Sequence, residues 1–517
     1  MKPLPKYSPN TKSYKLSGVL RFTFILIVVS LFQIAVADIA PAPIATRDVL
    51  VLDIGIGGDV GPEIVFRVDP ITGSRTIFRN LRDLDTGDRL RETNGIAVER
   101  SGNILLIDSR FGSDDVPALY RLDTATGNRT RLTVFNFVSP DGKRRAYRTI
   151  DLAVEESGSV LALVGTLMDT RPFEGPSILY RVDPVSGEPT PLTDFAELSG
   201  PYPQAPPTTV GVAVALAPSG TPVVAVRNPQ QNDIQSLYRL NPSDGSPTLI
   251  TTVPTDPDSS PYSPVINDIE VETSGAILAV APEAGPNGNG KLYRINQRTG
   301  AFTVLTDFGA GPFETLGFDP VDIALAASGN ILVADMQASV PSFNEQGSVW
   351  RIDPRSGARS VLSDFGQGAN QGLNPYAVAV VPPKSVSFNE LRVPMLDIDL
   401  RPGHKHDRFD LEADITLGDN SDGIRPLKEP VTLRIGPYSA TLPSGSFKED
   451  GGKSFRFAGK VNGVALAVTL QRGKTNEYEL KAFGRGADLS GAENPVTVTL
   501  TIGNDSGNTS VDACINC

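Results

Sequence analysis

Histidine and cysteine are nearly missing from this chain of 517 residues, which holds two of each. Both histidines, His404 and His406, come late, so residues 48–383 contain neither an imidazole nor a thiol. That stretch can carry neither a Ser/His/Asp set nor a cysteine nucleophile. The cysteines, Cys514 and Cys517, are too few for a closed zinc site and suit a small terminal disulfide in an oxidising compartment. After Ala37 no apolar run is long enough to cross a bilayer. Net positive charge is lacking too. With 47 basic and 59 acidic residues, net −12, the chain is expected to repel phosphates, which argues against a nucleic-acid partner.

The first 37 residues differ from the rest. Lys2, Lys6, Lys12, Lys15 and Arg21 precede a largely apolar run from Phe22 to Ala37, and small residues close it at Ala35-Val36-Ala37. This pattern predicts a signal peptide over 1–37 and a secreted, periplasmic or cell-surface protein with no membrane span once the peptide is removed. An uncleaved anchor is the competing reading. Losing the five basic residues would make the mature chain more acidic still.

Gly (49) and Pro (43) are plentiful, as turn-rich β structure requires. Six segments share one pattern: FRVDPITG (Phe66–Gly73), YRLDTATG (Tyr120–Gly127), YRVDPVSG (Tyr180–Gly187), YRLNPSDG (Tyr238–Gly245), YRINQRTG (Tyr293–Gly300) and WRIDPRSG (Trp350–Gly357). Their arginines recur every 54 to 60 residues, a period that marks a repeat architecture. Each unit opens with a short alternating segment: NGIAVE (Asn94–Glu99), IDLAVE (Ile150–Glu155), VGVAVA (Val210–Ala215), NDIEVE (Asn267–Glu272) or VDIALA (Val321–Ala326). A Ser-Gly turn and a second apolar strand follow, then the aromatic-Arg strand and a fourth strand after the Gly turn. Four antiparallel strands per unit make a propeller blade. The first unit lacks its opening strand, and PYAVAVV (Pro375–Val381) is a spare copy of it. The expected fold is therefore all-β: a six-bladed β-propeller over 48–383, closed by a first blade shared between its ends. The arginines of the signature are expected to face solvent.

NGIAVERSGNILLIDS (Asn94–Ser109) and VDIALAASGNILVADMQ (Val321–Gln337) resemble NHL-type repeats and the wider six-bladed group of gluconolactonase-like and streptogramin-lyase-like propellers. The resemblance implies a fold more than an activity, since such propellers include binders and enzymes. A lyase of that kind is expected to use a propeller histidine, and none exists here. A lactonase-type hydrolase would need a Ca²⁺-like ion on axial carboxylates, and the family's Glu ligand finds no counterpart in the first unit.

Beyond Pro383 the repeat stops. Eight alternating strands in the next 125 or so residues predict a C-terminal antiparallel β-sandwich over 386–513, with 514–517 as a Cys-x-x-Cys tail. It resembles modules appended to large exported bacterial proteins. RPGHKHDRFD around His404 and His406 reads as a polar turn.

In each blade the long connections share one end, the predicted ligand face. Candidate ligand or metal residues there are Asn94, Asp151, Asn267, Asp268 and Asp322 at inner-strand starts. At second-strand exits they are Asp53, Asp108 and Asp335, with Arg227 in the matching place of blade four. They could hold an ion such as Ca²⁺ or bind main-chain amides at strand ends. The leading expectation is a noncatalytic binding or scaffold protein for an extracellular protein, glycan or small molecule.

Overall fold

The computed structural model describes residues 47–517 except 56–62, 83–89, 91, 110–115, 139–143, 169–173, 198–208, 229–233, 255–265, 286–287, 312–315, 327, 340–345, 368–371, 373, 383–385, 402–406, 422, 428, 443–444 and 462–463. The expected signal peptide, both histidines and the middles of the long loops at 195–208, 227–236, 254–266, 282–290 and 337–347 lie outside the described residues.

The described residues form an all-β structure in which no helix is long and apolar enough to cross a membrane. Residues 49–380 build six four-stranded antiparallel sheets. The inner strands of the second to sixth sheets are Thr93–Val98, Arg144–Val154, Val210–Leu216, Asp268–Val271 and Pro320–Leu325. The first sheet takes its inner strand, Pro375–Val380, from the far end of the array, pairing Val378 with Val51 and Val380 with Val49. Inner strands touch in a closed cycle, so the β-propeller has no open end.

No single core fills the ring. Six buried apolar clusters each lie between two adjacent sheets, and the one formed by Val49, Phe66, Leu332 and Val349 joins the sixth sheet to the first. Signature aromatics Phe66, Tyr120, Tyr180, Tyr293 and Trp350 are buried in these clusters. Phe66 meets Phe365 of the preceding sheet edge-on at 5.5 Å. The turn that follows closes on its aspartate: Asp69 Oδ1 accepts the amides of Ile71 (2.9 Å) and Thr72 (2.7 Å). Its glycine is needed twice over. Gly245 has φ +72°, and a Cβ there would stand 1.8 Å from the Leu192 carbonyl oxygen of the preceding sheet.

The signature arginines correct the expectation of solvent-facing side chains. Arg121, Arg181 and Arg294 are only about a quarter exposed and fork onto Glu99, Glu155 and Glu272, each just past the end of the inner strand of its own sheet, at 2.5, 2.7 and 2.6 Å. The same guanidiniums donate to the carbonyls of Pro184, Pro242 and Pro354 in the turn of the next sheet. A planar fork can serve a carboxylate and a carbonyl together, so each arginine ties two blades. In the fourth sheet Arg239 stays exposed and reaches Gln297 instead.

Beyond the ring, a five-stranded and a seven-stranded sheet enclose one buried cluster that includes Phe409, Leu411, Leu433 and Leu500. The pairing is not purely antiparallel as expected: Val386–Ser387 runs parallel to Asp505–Val511, and Cys514–Ile515 parallel to Glu390–Asp399. The expected tail is thus partly an edge strand. The polar Asp505–Val511 strand (DSGNTSV) had no apolar alternation to announce it. Cys514 and Cys517 form a disulfide with Cα atoms 5.6 Å apart.

Candidate functional site: the central channel

The inner strands surround an axial channel of about 560 Å³. Five of them carry a one-residue bulge at equivalent places, Asn94, Ile150, Val212, Val321 and Tyr376, and Arg144–Val154 has a second register shift between Ala146 and Arg148. In the fifth sheet Asn267 takes this place, donating to the Val280 carbonyl while Asp268 pairs with the same residue. A bulge re-aims the side chains beside it. Asn94 and Asn267 accordingly turn toward the next sheet, where their Nδ2 groups donate to the carbonyls of Thr149 (2.9 Å) and Val321 (2.8 Å).

The residues after the bulges are Gly95, Asp151, Ala213, Asp268, Asp322 and Ala377. The three aspartates share one arrangement. Each accepts an amide from the inner strand of the following sheet: Val214 on Asp151 (2.7 Å), Ile323 on Asp268 (2.9 Å) and Val378 on Asp322 (2.5 Å). Each also accepts the amide of its own next residue. Inner-strand amides facing the axis have no further strand to pair with, and these carboxylates satisfy them. Burial pushes all three pKa values up, Asp322 to about 7. Asp268 rises further because it faces the charge of Asp322 and hydrogen-bonds to it.

The second-strand aspartates do not line the channel. Asp108 pairs with Thr93 and Asp335 with Pro320, and both are fully buried. Asp108 accepts the Glu92 amide at 2.8 Å; Asp335 accepts the amides of Asp319 and Gln337 and the Trp350 indole N–H at 3.0 Å. Asp53 accepts the Gly55 amide at 2.9 Å. They fasten connecting loops. Arg227 is not in their register, because Val226 pairs with Gly211, the residue before the bulge, and Arg227 falls one place later. With a period of two, that slip sends its side chain to the other side, into the channel wall.

Arg148, Tyr376 and Glu270 also line the channel. Burial and the nearby Asp322 raise the Tyr376 pKa, against the opposing charge of Arg148. Burial, Asp268 and Asp151 raise the Glu270 carboxyl to about 8. Sequence reasoning overlooked Glu270, although NDIEVE puts glutamate where NGIAVE, IDLAVE and VDIALA put alanine. Among the described residues, no group of three or more His, Cys, Asp and Glu side chains is arranged to hold a metal ion.

No protein-family model matches the chain, and no curated protein does. Among solved structures it is similar to a candidate 6-phosphogluconolactonase from Bacteroides uniformis, at 13% identity over 72% of this chain and 93% of that one, TM-score 0.37. It is similar to regucalcin, a calcium-binding protein of Agrobacterium tumefaciens, at 14% over 62% and 93%, TM-score 0.33. It is also similar to Ycf48 from Cyanidioschyzon merolae, at 13% over 71% and 94%, TM-score 0.34. Likeness this distant carries no argument about activity. The propeller assignment rests on the sheet topology.

Proposed function

We propose that the chain is an exported binding protein without catalytic activity, and that its ligand enters the channel from the long-loop end. The observation that carries this reading is the use of the axial aspartates. Asp151, Asp268 and Asp322 each hold two main-chain amides and so serve as ties between blades. Those carboxylates are committed, and the sequence of 48–383 holds no imidazole or thiol to serve as base or nucleophile beside them. What remains is a preformed cavity whose volume lies within the usual range for small-molecule sites. Its mouth carries Arg148, Arg227, Asn94, Asn267 and Tyr376, a mixture suited to fixing a polar ligand. A narrow channel favours a small molecule or a protruding glycan or side chain over a folded partner. Residues 1–37 supply the expected export signal.

The lactonase-type alternative needs carboxylates free to ligate an ion and one more as base. The geometry of the three axial aspartates weighs against it.

The test is a thermal-shift screen of the full mature chain with metabolites and short glycans, repeated on Arg227→Ala and Tyr376→Ala. Ligands whose shift disappears in those variants support the reading. Turnover of a lactone or ester panel by the wild-type protein, lost in Asp268→Asn, would replace it with the hydrolase.

A further inference from the structure

Two residues beyond the axial aspartates, about 7 Å deeper at the rise of a strand, the inner strands form a second ring. Five sheets place alanine there: Ala97, Ala153, Ala215, Ala324 and Ala379. The fifth sheet places Glu270. Their second-strand partners are equivalent, Leu105 for Ala97, Leu332 for Ala324 and Leu278 for Glu270, so all occupy one level. All six line the channel.

Glu270 is the single break in this ring, and nothing within the fold explains it. Among the described residues no donor bonds its carboxyl, whereas each aspartate above it holds two amides. Its side chain is part-buried, and the surface it retains faces the channel. A carboxyl that faces a cavity and meets no donor from the protein takes water or a ligand as its partner. Its surroundings select the sign of that ligand. Asp268 on the same strand, Asp151 and Asp322 face this part of the cavity, while the cations Arg148 and Arg227 stand toward the mouth. The ligand should carry positive charge. One uncommitted carboxyl cannot supply the six to eight oxygens that Ca²⁺ takes, but it suits a single ammonium group. The alanine methyls leave room for a slim alkyl chain behind that group.

We propose that Glu270 anchors an organic ammonium ion, a primary amine on a short alkyl chain, at the level of the alanine ring. The carboxylate accepts hydrogen bonds from the ammonium, and the methyls of the ring contact the chain. Where the carboxyl starts protonated, its proton passes to the buffer as the cation enters. The inference rests on the binding reading, because it supplies the channel with its ligand class.

The experiment is calorimetric titration of the full mature chain with n-butylammonium chloride, n-butanol and sodium butyrate at equal ionic strength, using wild type, Glu270→Gln and Glu270→Ala. The expected result is saturable butylammonium binding, at least about tenfold stronger than butanol or butyrate, that both variants lose. Glu270→Ala completes the ring, so its melting temperature shows whether the fold persists. In wild type the apparent enthalpy near pH 7 should vary with the ionisation enthalpy of the buffer, because binding releases a proton. Equal binding by wild type and a folded Glu270→Ala would overturn the proposal, as would absence of saturable binding to wild type. If butylammonium fails while another ligand in the screen depends on Arg227 or Tyr376, the binding reading stands and this one falls.

Discussion

The guanidinium of Arg351 donates to the carbonyl of Pro70, 281 residues earlier in the chain. This bond joins the sixth sheet to the first by the same device that links the other blades. Ser363 Oγ adds a second tie there, donating to the Gly73 carbonyl at 2.8 Å. Closure is therefore a repeat of the internal blade contact, made where the chain's ends meet.

That equivalence predicts the cost of breaking a tie. Arg294 binds Glu272 and the Pro354 carbonyl from a mostly buried position. Arg294→Ala should cost about 1–3 kcal/mol, the range for a charge-assisted bond whose partner is left behind. Arg294→Lys should recover little, because an ammonium cannot serve both acceptors with a planar fork. Urea denaturation midpoints of the two variants test this; a lysine variant as stable as wild type would contradict it.

Two glycines with similar backbone angles should respond differently. Gly220 has φ +78° and open space where a Cβ would go, so Gly220→Ala should cost only about 1 kcal/mol of backbone strain. Gly245 has φ +72° and the Leu192 carbonyl in the way. Gly245→Ala should add steric cost and exceed about 3 kcal/mol in all. Paired denaturation curves read the difference.

The buried carboxyls set a pH dependence. Burial raises Glu63, Asp322 and Asp335 to about 7 and Glu270 to about 8, while in the unfolded chain such groups titrate near 4. Between these limits the folded state holds protons that the unfolded state has released. Stability should therefore fall as pH rises from about 4 to 8. The turn aspartates Asp69, Asp123, Asp183 and Asp353 act oppositely: hydrogen bonds from turn amides lower their pKa values, and that stabilisation is lost on acidification below about 4. The denaturation midpoint should be higher at pH 5.5 than at pH 8, with a shallower slope in Asp322→Asn and Glu270→Gln. A midpoint that climbs toward pH 8 would refute this.

Calcium provides the last comparison. If Asp151, Asp268 and Asp322 are committed to amides, millimolar CaCl₂ should leave the melting temperature unchanged, since a ligand stabilises only by binding the native state. A calcium-induced rise that Asp268→Ala with Asp322→Ala removes would restore the ion-dependent hydrolase.

Much of the ring could be read along the chain, because each blade is a local product. The Ser-Gly turns, the alternation of NGIAVE and its relatives and the aromatic-Arg-Asp-x-x-Gly segments all lie within one unit. The spare strand Pro375–Val381 signalled closure for the same reason, as an unpaired copy of a known part. The destinations of charged side chains were not legible. Arg121 looks like a surface arginine until Pro184 of another blade is brought to its tip. Asp108 and Asp151 both look like strand-end residues in the sequence, yet Asp108 closes its strand and holds a loop, while Asp151 lies inside Arg144–Val154 after a bulge and reaches the next inner strand.

The sequence by itself determined the repeated blade, the number of its copies and the way the two ends meet, because period and turn chemistry act over a few residues. Tertiary structure alone decided what the polar residues do, because hydrogen-bond partners come from neighbouring sheets some 50 to 60 residues away. It turned the axial aspartates into ties for exposed inner-strand amides. It also left Glu270, the one departure from a ring of alanines, facing the channel with no hydrogen-bond donor to its carboxyl among the described residues.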